Sequence, residues 1–115
     1  MNDIVLSGLL NLFALLGAKN GLDKAESLDL LTHYLVRFFG IRNTRSYIRL
    51  YNDLREFYDD SPELDKDAIV TGICTKMTAK VRANEKITML LRLMEFCHVA
   101  SDSSIENEER LLCSL

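Results

Sequence analysis

The sequence predicts an all-α fold, a single bundle of about six helices, on three observations. Apolar residues recur at three- and four-residue spacing through every substantial segment, and none of these segments has strand alternation. Glycine, asparagine, aspartate and serine gather in short intervals between those segments. The single proline, Pro62, falls inside one such interval, where it interrupts no helical pattern.

The first helix is expected from about Asp3 to Ala18, with Leu6, Leu9, Leu10, Phe13 and Leu16 on its apolar face. Lys19-Asn20-Gly21 ends it, because asparagine and glycine tolerate the left-handed backbone that closes helices. Asp23 caps the second helix, with Glu26 three residues on as reciprocal partner. That helix continues through Leu28, Leu31, Leu35 and Phe38 and stops at Gly40. Asn43 or Thr44 is the expected cap of the third, which carries Tyr47, Ile48, Tyr51, Leu54 and Tyr58 and ends at Asp59-Asp60-Ser61-Pro62. The fourth starts near Asp65 and is expected to bury Ile69, Ile73, Met77 and Val81. A break near Ala83-Asn84 leads to the fifth, with Ile87, Leu90, Leu91, Met94 and Cys97 as its apolar set. After the turn Ser101-Asp102-Ser103-Ser104, a sixth helix is expected from Ile105. Helices one and two, and five and six, are expected to pair as antiparallel hairpins.

A chain of 115 residues makes one domain, and one this size can bury roughly 65% of its extended surface. With 48% hydrophobic and 27% charged residues, a core is attainable without disulfides or a structural metal. Fourteen basic against 17 acidic residues give a net charge of -3, which offers no positive field for nucleic acid or anionic lipid. Arg42, Arg45 and Arg49 share a face of the third helix near Tyr47 and Tyr51, but Asp53, Glu56, Asp59 and Asp60 follow at once. A solvated face is the expectation there, with no nucleic-acid partner. The apolar stretch Ile4 to Ala18 is broken by Ser7, Gly8 and Asn11, and no basic region precedes it. A cytoplasmic core helix is expected there, in preference to a membrane span or a signal peptide.

Cys74, Cys97 and Cys113 are far apart and set in helical pattern, which points to reduced structural thiols. No C-x-x-C is present, and adjacent Cys97 and His98 project about 100° apart on a helix, so no metal-ligand spacing arises from them. His33 and His98 lie within helical patterns without a nucleophile at a recognisable spacing. Glu95 with Glu26 or Glu109 could pair across the bundle as acid and base, although nothing in the sequence singles them out. A small hydrolase with a carboxylate or histidine site is the second, weakest functional alternative.

The two ends of the chain resemble each other. Ala18-Lys19-Asn20-Gly21-Leu22-Asp23-Lys24-Ala25-Glu26 and Ala100-Ser101-Asp102-Ser103-Ser104-Ile105-Glu106-Asn107-Glu108-Glu109 both follow an apolar helix. Each is a polar turn, one aliphatic residue, and an acid in the next helix's first turn. This pattern resembles the TerB-like (tellurite-resistance) family, whose helical bundle carries A-x-D-G-x-[IL]-x-x-x-E near both ends. The resemblance implies a divalent cation as cofactor, held between the paired turns by Asn20, Glu26, Asp102 and Glu109, with Glu108 adjacent. Asn20 stands where the family has an acid, and Ser103 where it has glycine. Hard cations prefer several carboxylate oxygens. The competing expectation for these turns is helix capping alone: Asp23/Glu26 and Ser103/Glu106 stand at capping-box spacing, and acids in a first helical turn offset the macrodipole. The stretch to Glu109 echoes the later half of an EF-hand loop, but His98 and Ala100 occupy positions that need acids.

The start, Met1-Asn2-Asp3-Ile4 through Leu9-Leu10-Asn11-Leu12-Phe13-Ala14-Leu15, resembles the N-terminal extension of large Bacteroidetes-type ATP-binding-cassette proteins. No Walker lysine loop lies in these residues. The expectation is a non-catalytic interaction or regulatory module, residues 1–115 of a longer cytoplasmic protein, with a cation-binding stress-response domain as the alternative. Its partner is expected to be another protein or the remainder of the same polypeptide. Leu111, Leu112 and Leu115 form an apolar cluster suited to a homodimer through the C-terminal tail.

Overall fold

The computed structural model describes residues 3–98, in which five helices follow one another: α1 (Asp3–Asn20), α2 (Lys24–Phe39), α3 (Ile41–Asp59), α4 (Lys66–Thr78) and α5 (Ala83–His98). No strand occurs among the described residues. The sixth helix expected from Ile105, and the Leu111, Leu112 and Leu115 cluster, lie outside them.

The architecture is organised by α1, which is apolar nearly all round. Val5, Leu6, Leu9 and Leu10 are buried, and so is every residue from Leu12 to Gly17. Such a helix cannot rest on one neighbour and needs cover on several sides. It packs most closely on α3 and then on α4 and α5, while α2 reaches α3 and α5. The expected hairpin of the first two helices is therefore corrected. α2 follows α1 through a tight turn but diverges from it, because α3 takes the place alongside α1. Among the described residues, no helix is long and apolar enough to cross a membrane.

The α1–α2 turn forms as the sequence indicates. Gly21 takes a left-handed φ of 59°, the Leu22 amide donates to the Gly17 carbonyl at 3.0 Å, and the Gly21 amide to Ala18 at 3.3 Å. Leu22 is buried beneath this Schellman closure. Asp23 then accepts from the Glu26 amide at 2.9 Å, and Asp65 likewise accepts from the Ala68 amide at 3.1 Å. Replacing either aspartate by alanine is expected to cost about 1 kcal/mol of unfolding free energy, read by urea titration.

Between α2 and α3 only Gly40 intervenes, with φ 77°, so α3 restarts at Ile41 and not after a cap at Asn43 or Thr44. Thr44 lies inside the helix, where its hydroxyl donates to the Gly40 carbonyl at 2.7 Å.

Two helical faces are rotated from expectation. On α4 the residues buried are Val70, Cys74 and Met77, whereas Ile69 and Ile73 are half-buried, as is Val81, which falls beyond the end of α4. On α5, Met89, Leu93, Phe96 and Cys97 are buried, while Ile87 and Leu91 are 61% and 57% exposed. Both helices carry two adjacent apolar rows, and the position of α1 decides which row goes inward. Phe96 closes the core by edge-on contact with Phe13 at 4.9 Å and with Tyr51 at 6.4 Å between ring centres.

Cys74 is a free thiol within this core, Cys97 is buried there as well, and Cys113 lies outside the described residues. Burial pushes the Cys74 thiol up to about 11 from an ordinary value of 9.0. The folded state thus keeps a proton that the unfolded chain sheds first. Stability from this thiol is complete below about pH 9 and is lost as pH rises toward 11. A Cys74→Ala variant is expected to show a shallower loss between pH 9 and 10 in denaturant titrations than the wild-type chain, the contribution of the buried tyrosines being common to both.

Candidate functional site

Two places combine buried polar chemistry with open space: the α1–α2 turn and the gap left where α2 diverges from α1. At the turn, the dominant side chain is Arg55 of α3, which is 6% exposed. Its Nη2 donates to the Leu22 carbonyl at 2.9 Å, and its Nε to Asp59 at 3.1 Å. The guanidinium reaches this position because Gly17 has no side chain; a Cβ there would stand 2.7 Å from Nη1 and 3.4 Å from the Tyr51 hydroxyl. Lys24 approaches Asp59 from the solvent side at 3.8 Å. Burial pushes the Tyr51 phenol up, and the neighbouring Arg55 cation partly offsets this. A polar cleft of about 530 Å³ between α2 and α3 has Arg55 and Tyr51 at its inner wall and Lys24, Glu56 and Asp60 on its sides.

Of the sequence-predicted ligands, Asn20 and Glu26 lie at this turn. The Asn20 amide donates to the Leu16 carbonyl at 2.9 Å, as a side chain within the last turn of α1. Glu26 is exposed and its backbone amide is held by Asp23. Asp102, Glu108 and Glu109 lie outside the described residues. Among the described residues, no three His, Cys, Asp or Glu side chains are grouped to hold a metal ion.

The second place is an apolar groove between α1, α2 and α5, with a volume of about 310 Å³. Leu9 and Phe13 of α1, Leu31 and Leu35 of α2, and Met89 of α5 form its walls. Its edge is polar. The Tyr34 hydroxyl donates to Glu95 at 3.2 Å, Arg92 donates to the same carboxylate at 2.7 Å, and the Arg92 guanidinium lies 5.5 Å from the centre of the Tyr34 ring. Burial and then the Glu95 charge push the Tyr34 phenol far up, so it stays a neutral donor. These three side chains tie α2 to α5 and hold the groove at a fixed width. Glu85, also on the edge, accepts from the Arg82 amide at the start of α5.

His33 is exposed on α2 beside the Tyr34 ring, and the His98 side chain lies outside what is described. Glu95 is committed to Tyr34 and Arg92, and no contact joins it to Glu26. Of the aromatics beside the third-helix arginines, Tyr51 is 2% exposed and unavailable to stack on a base, while Arg42, Arg45 and Arg49 point to solvent.

Sequence reasoning missed Arg55 and Tyr34. A signal for Arg55 existed: it falls in the row Tyr51–Arg55–Tyr58, at the spacing of the face that α3 buries. Tyr58 in that row donates to Asn11 of α1 at 2.7 Å, and burial raises its pKa too. For Tyr34, Glu95 and Arg92 no local pattern announces the contact. No family model, curated protein or solved structure matches the chain, so the TerB-like resemblance rests on the two turns alone.

Proposed function

We propose that this domain is a non-catalytic interaction module whose α1–α2–α5 groove receives apolar side chains of a helix. That helix belongs to a partner protein or to the remainder of a longer polypeptide. The observation that carries this reading is the groove itself, walled by Leu9, Phe13, Leu31, Leu35 and Met89 and open at its mouth. Space of this kind is what an amphipathic helix fills with residues at three- and four-residue spacing. The titratable groups on the edge are spent on structure: Glu85 on a helix start, and Glu95 on Tyr34 and Arg92. Burying one leucine in such a groove is worth about 1.5–3 kcal/mol, enough for useful affinity when two or three anchor together.

Selection of random-sequence amphipathic peptides on the immobilised chain tests this reading. Binders are expected to shift the methyl resonances of Leu31, Leu35 and Met89. Thr88→Arg, an exposed substitution at the mouth, is expected to weaken them by about tenfold or more. Peptides that map to other faces, or that ignore Thr88→Arg, would count against the groove.

A further inference from the structure

Among the described residues, α5 packs chiefly on α1 and α2, which leaves its outer side open. Ile87 and Leu91 stand there, one turn apart and both exposed. At 100° per residue they lie about 40° from each other and roughly opposite Met89, Leu93 and Phe96, which α5 buries. Neither of them lines the groove. Beyond His98 the chain continues through Ser101-Asp102-Ser103-Ser104 to a further apolar set. A helix from Ile105 would bring Ile105, Leu111, Leu112 and Leu115 within about 120° of one another. Glu108, the one charge in that sector, stands a turn short of the leucines.

We infer that residues 105–115 fold back antiparallel along α5 and seat their leucines on Ile87 and Leu91. Six residues, 99–104, join the two segments, a length usual between neighbouring antiparallel helices. An eleven-residue helix and the stretch from Ile87 to His98 are each about 16 Å long. The register therefore sets Leu112 near Leu91 and Leu115 near Ile87. Two exposed aliphatic side chains fall far short of the roughly 800 Å² per partner that a stable dimer needs, so a second copy gains too little there. A segment on a six-residue tether meets α5 at an effective concentration in about the millimolar range and needs far less contact. The C-terminal leucine cluster serves within one chain, and α5, which holds Arg92 and Glu95 at the groove's edge, is braced from its outer side.

Chemical unfolding of the full chain reads this contact. Glutamine forms helix about as well as leucine, so on a bare surface Leu91→Gln changes the folding equilibrium by less than about threefold. With residues 105–115 seated on Leu91, the same substitution is expected to lower that equilibrium constant by about tenfold. Leu112→Gln is expected to do the same, and the two together little more than either alone. In methyl-labelled wild-type protein, nuclear Overhauser contacts are expected between Leu91 and Leu112. Sedimentation is expected to give 13.1 kDa at about 50 µM. A Leu91→Gln effect below about threefold overturns the inference, as do additive losses or the absence of any contact from Leu91 to Leu111, Leu112 or Leu115. A species of twice the mass that reverts to monomer on Leu91→Gln also overturns it, by giving the pair to a second copy. The groove, whose walls include neither Ile87 nor Leu91, is untouched by any of these outcomes.

Discussion

Phe96→Ala is expected to destabilise the domain by about 3–5 kcal/mol, a large share of the roughly 5–15 kcal/mol that holds a small domain folded. The ring is fully buried and meets Phe13 of α1 and Tyr51 of α3 edge-on. Its removal leaves a void at the junction of three helices, none of which can move inward without losing its other contacts. Because α5 carries the Arg92–Glu95 side of the groove, the loss extends to function. Urea unfolding monitored by circular dichroism measures the effect. A loss below about 1 kcal/mol would mean that Phe96 is not the closing residue of the core.

Arg55→Ala is the second large effect, expected at about 2–4 kcal/mol. The substitution leaves the Leu22 carbonyl without its side-chain donor and Asp59 without its close cation, the latter partly accessible to water. The figure therefore falls below that of a fully buried ion pair. Gly17→Ala attacks the same contact from α1. Alanine is the better helix former by about 1 kcal/mol, yet its Cβ would stand 2.7 Å from Arg55 Nη1. The single substitution is expected to cost about 1–3 kcal/mol. In an Arg55→Ala background the crowding is gone, and Gly17→Ala is expected to be neutral or stabilising. A double-mutant cycle with additive losses would show that the two residues do not oppose each other.

The elements that could be read from the sequence are those decided by neighbours along the chain. Asp23 caps α2, Asp65 starts α4, Gly21 closes α1, and the turn after Asp59 ends α3, each by chemistry contained within a few residues. The start of α3 was misplaced because Thr44 reads as a cap although its hydroxyl bonds back into the helix. The inward faces of α4 and α5 were not legible. Ile69 beside Val70, and Leu90 and Leu91 beside Met89, give competing rows, and only the position of α1 decides between them. The divergence of α2 from α1 has the same origin: it follows from α3 claiming the place alongside α1. The groove, Tyr34–Glu95 and Arg55–Leu22 join residues remote in sequence, so no periodicity could announce them. Of the acids proposed for a cation, Glu26 is found exposed beside the Asp23 cap; its counterparts Asp102, Glu108 and Glu109 fall outside the described residues.

Xenon titration of methyl-labelled protein probes the gap between α1, α2 and α5 most directly, since this apolar gas enters dry cavities without needing a specific contact. Saturable shifts are expected at Leu31, Leu35 and Met89, while Leu12 and Leu15, packed inside α1's shell, stay fixed. Equal shifts throughout the core, or none at those three methyls, would mean that α2 closes onto α1 and that no docking groove exists.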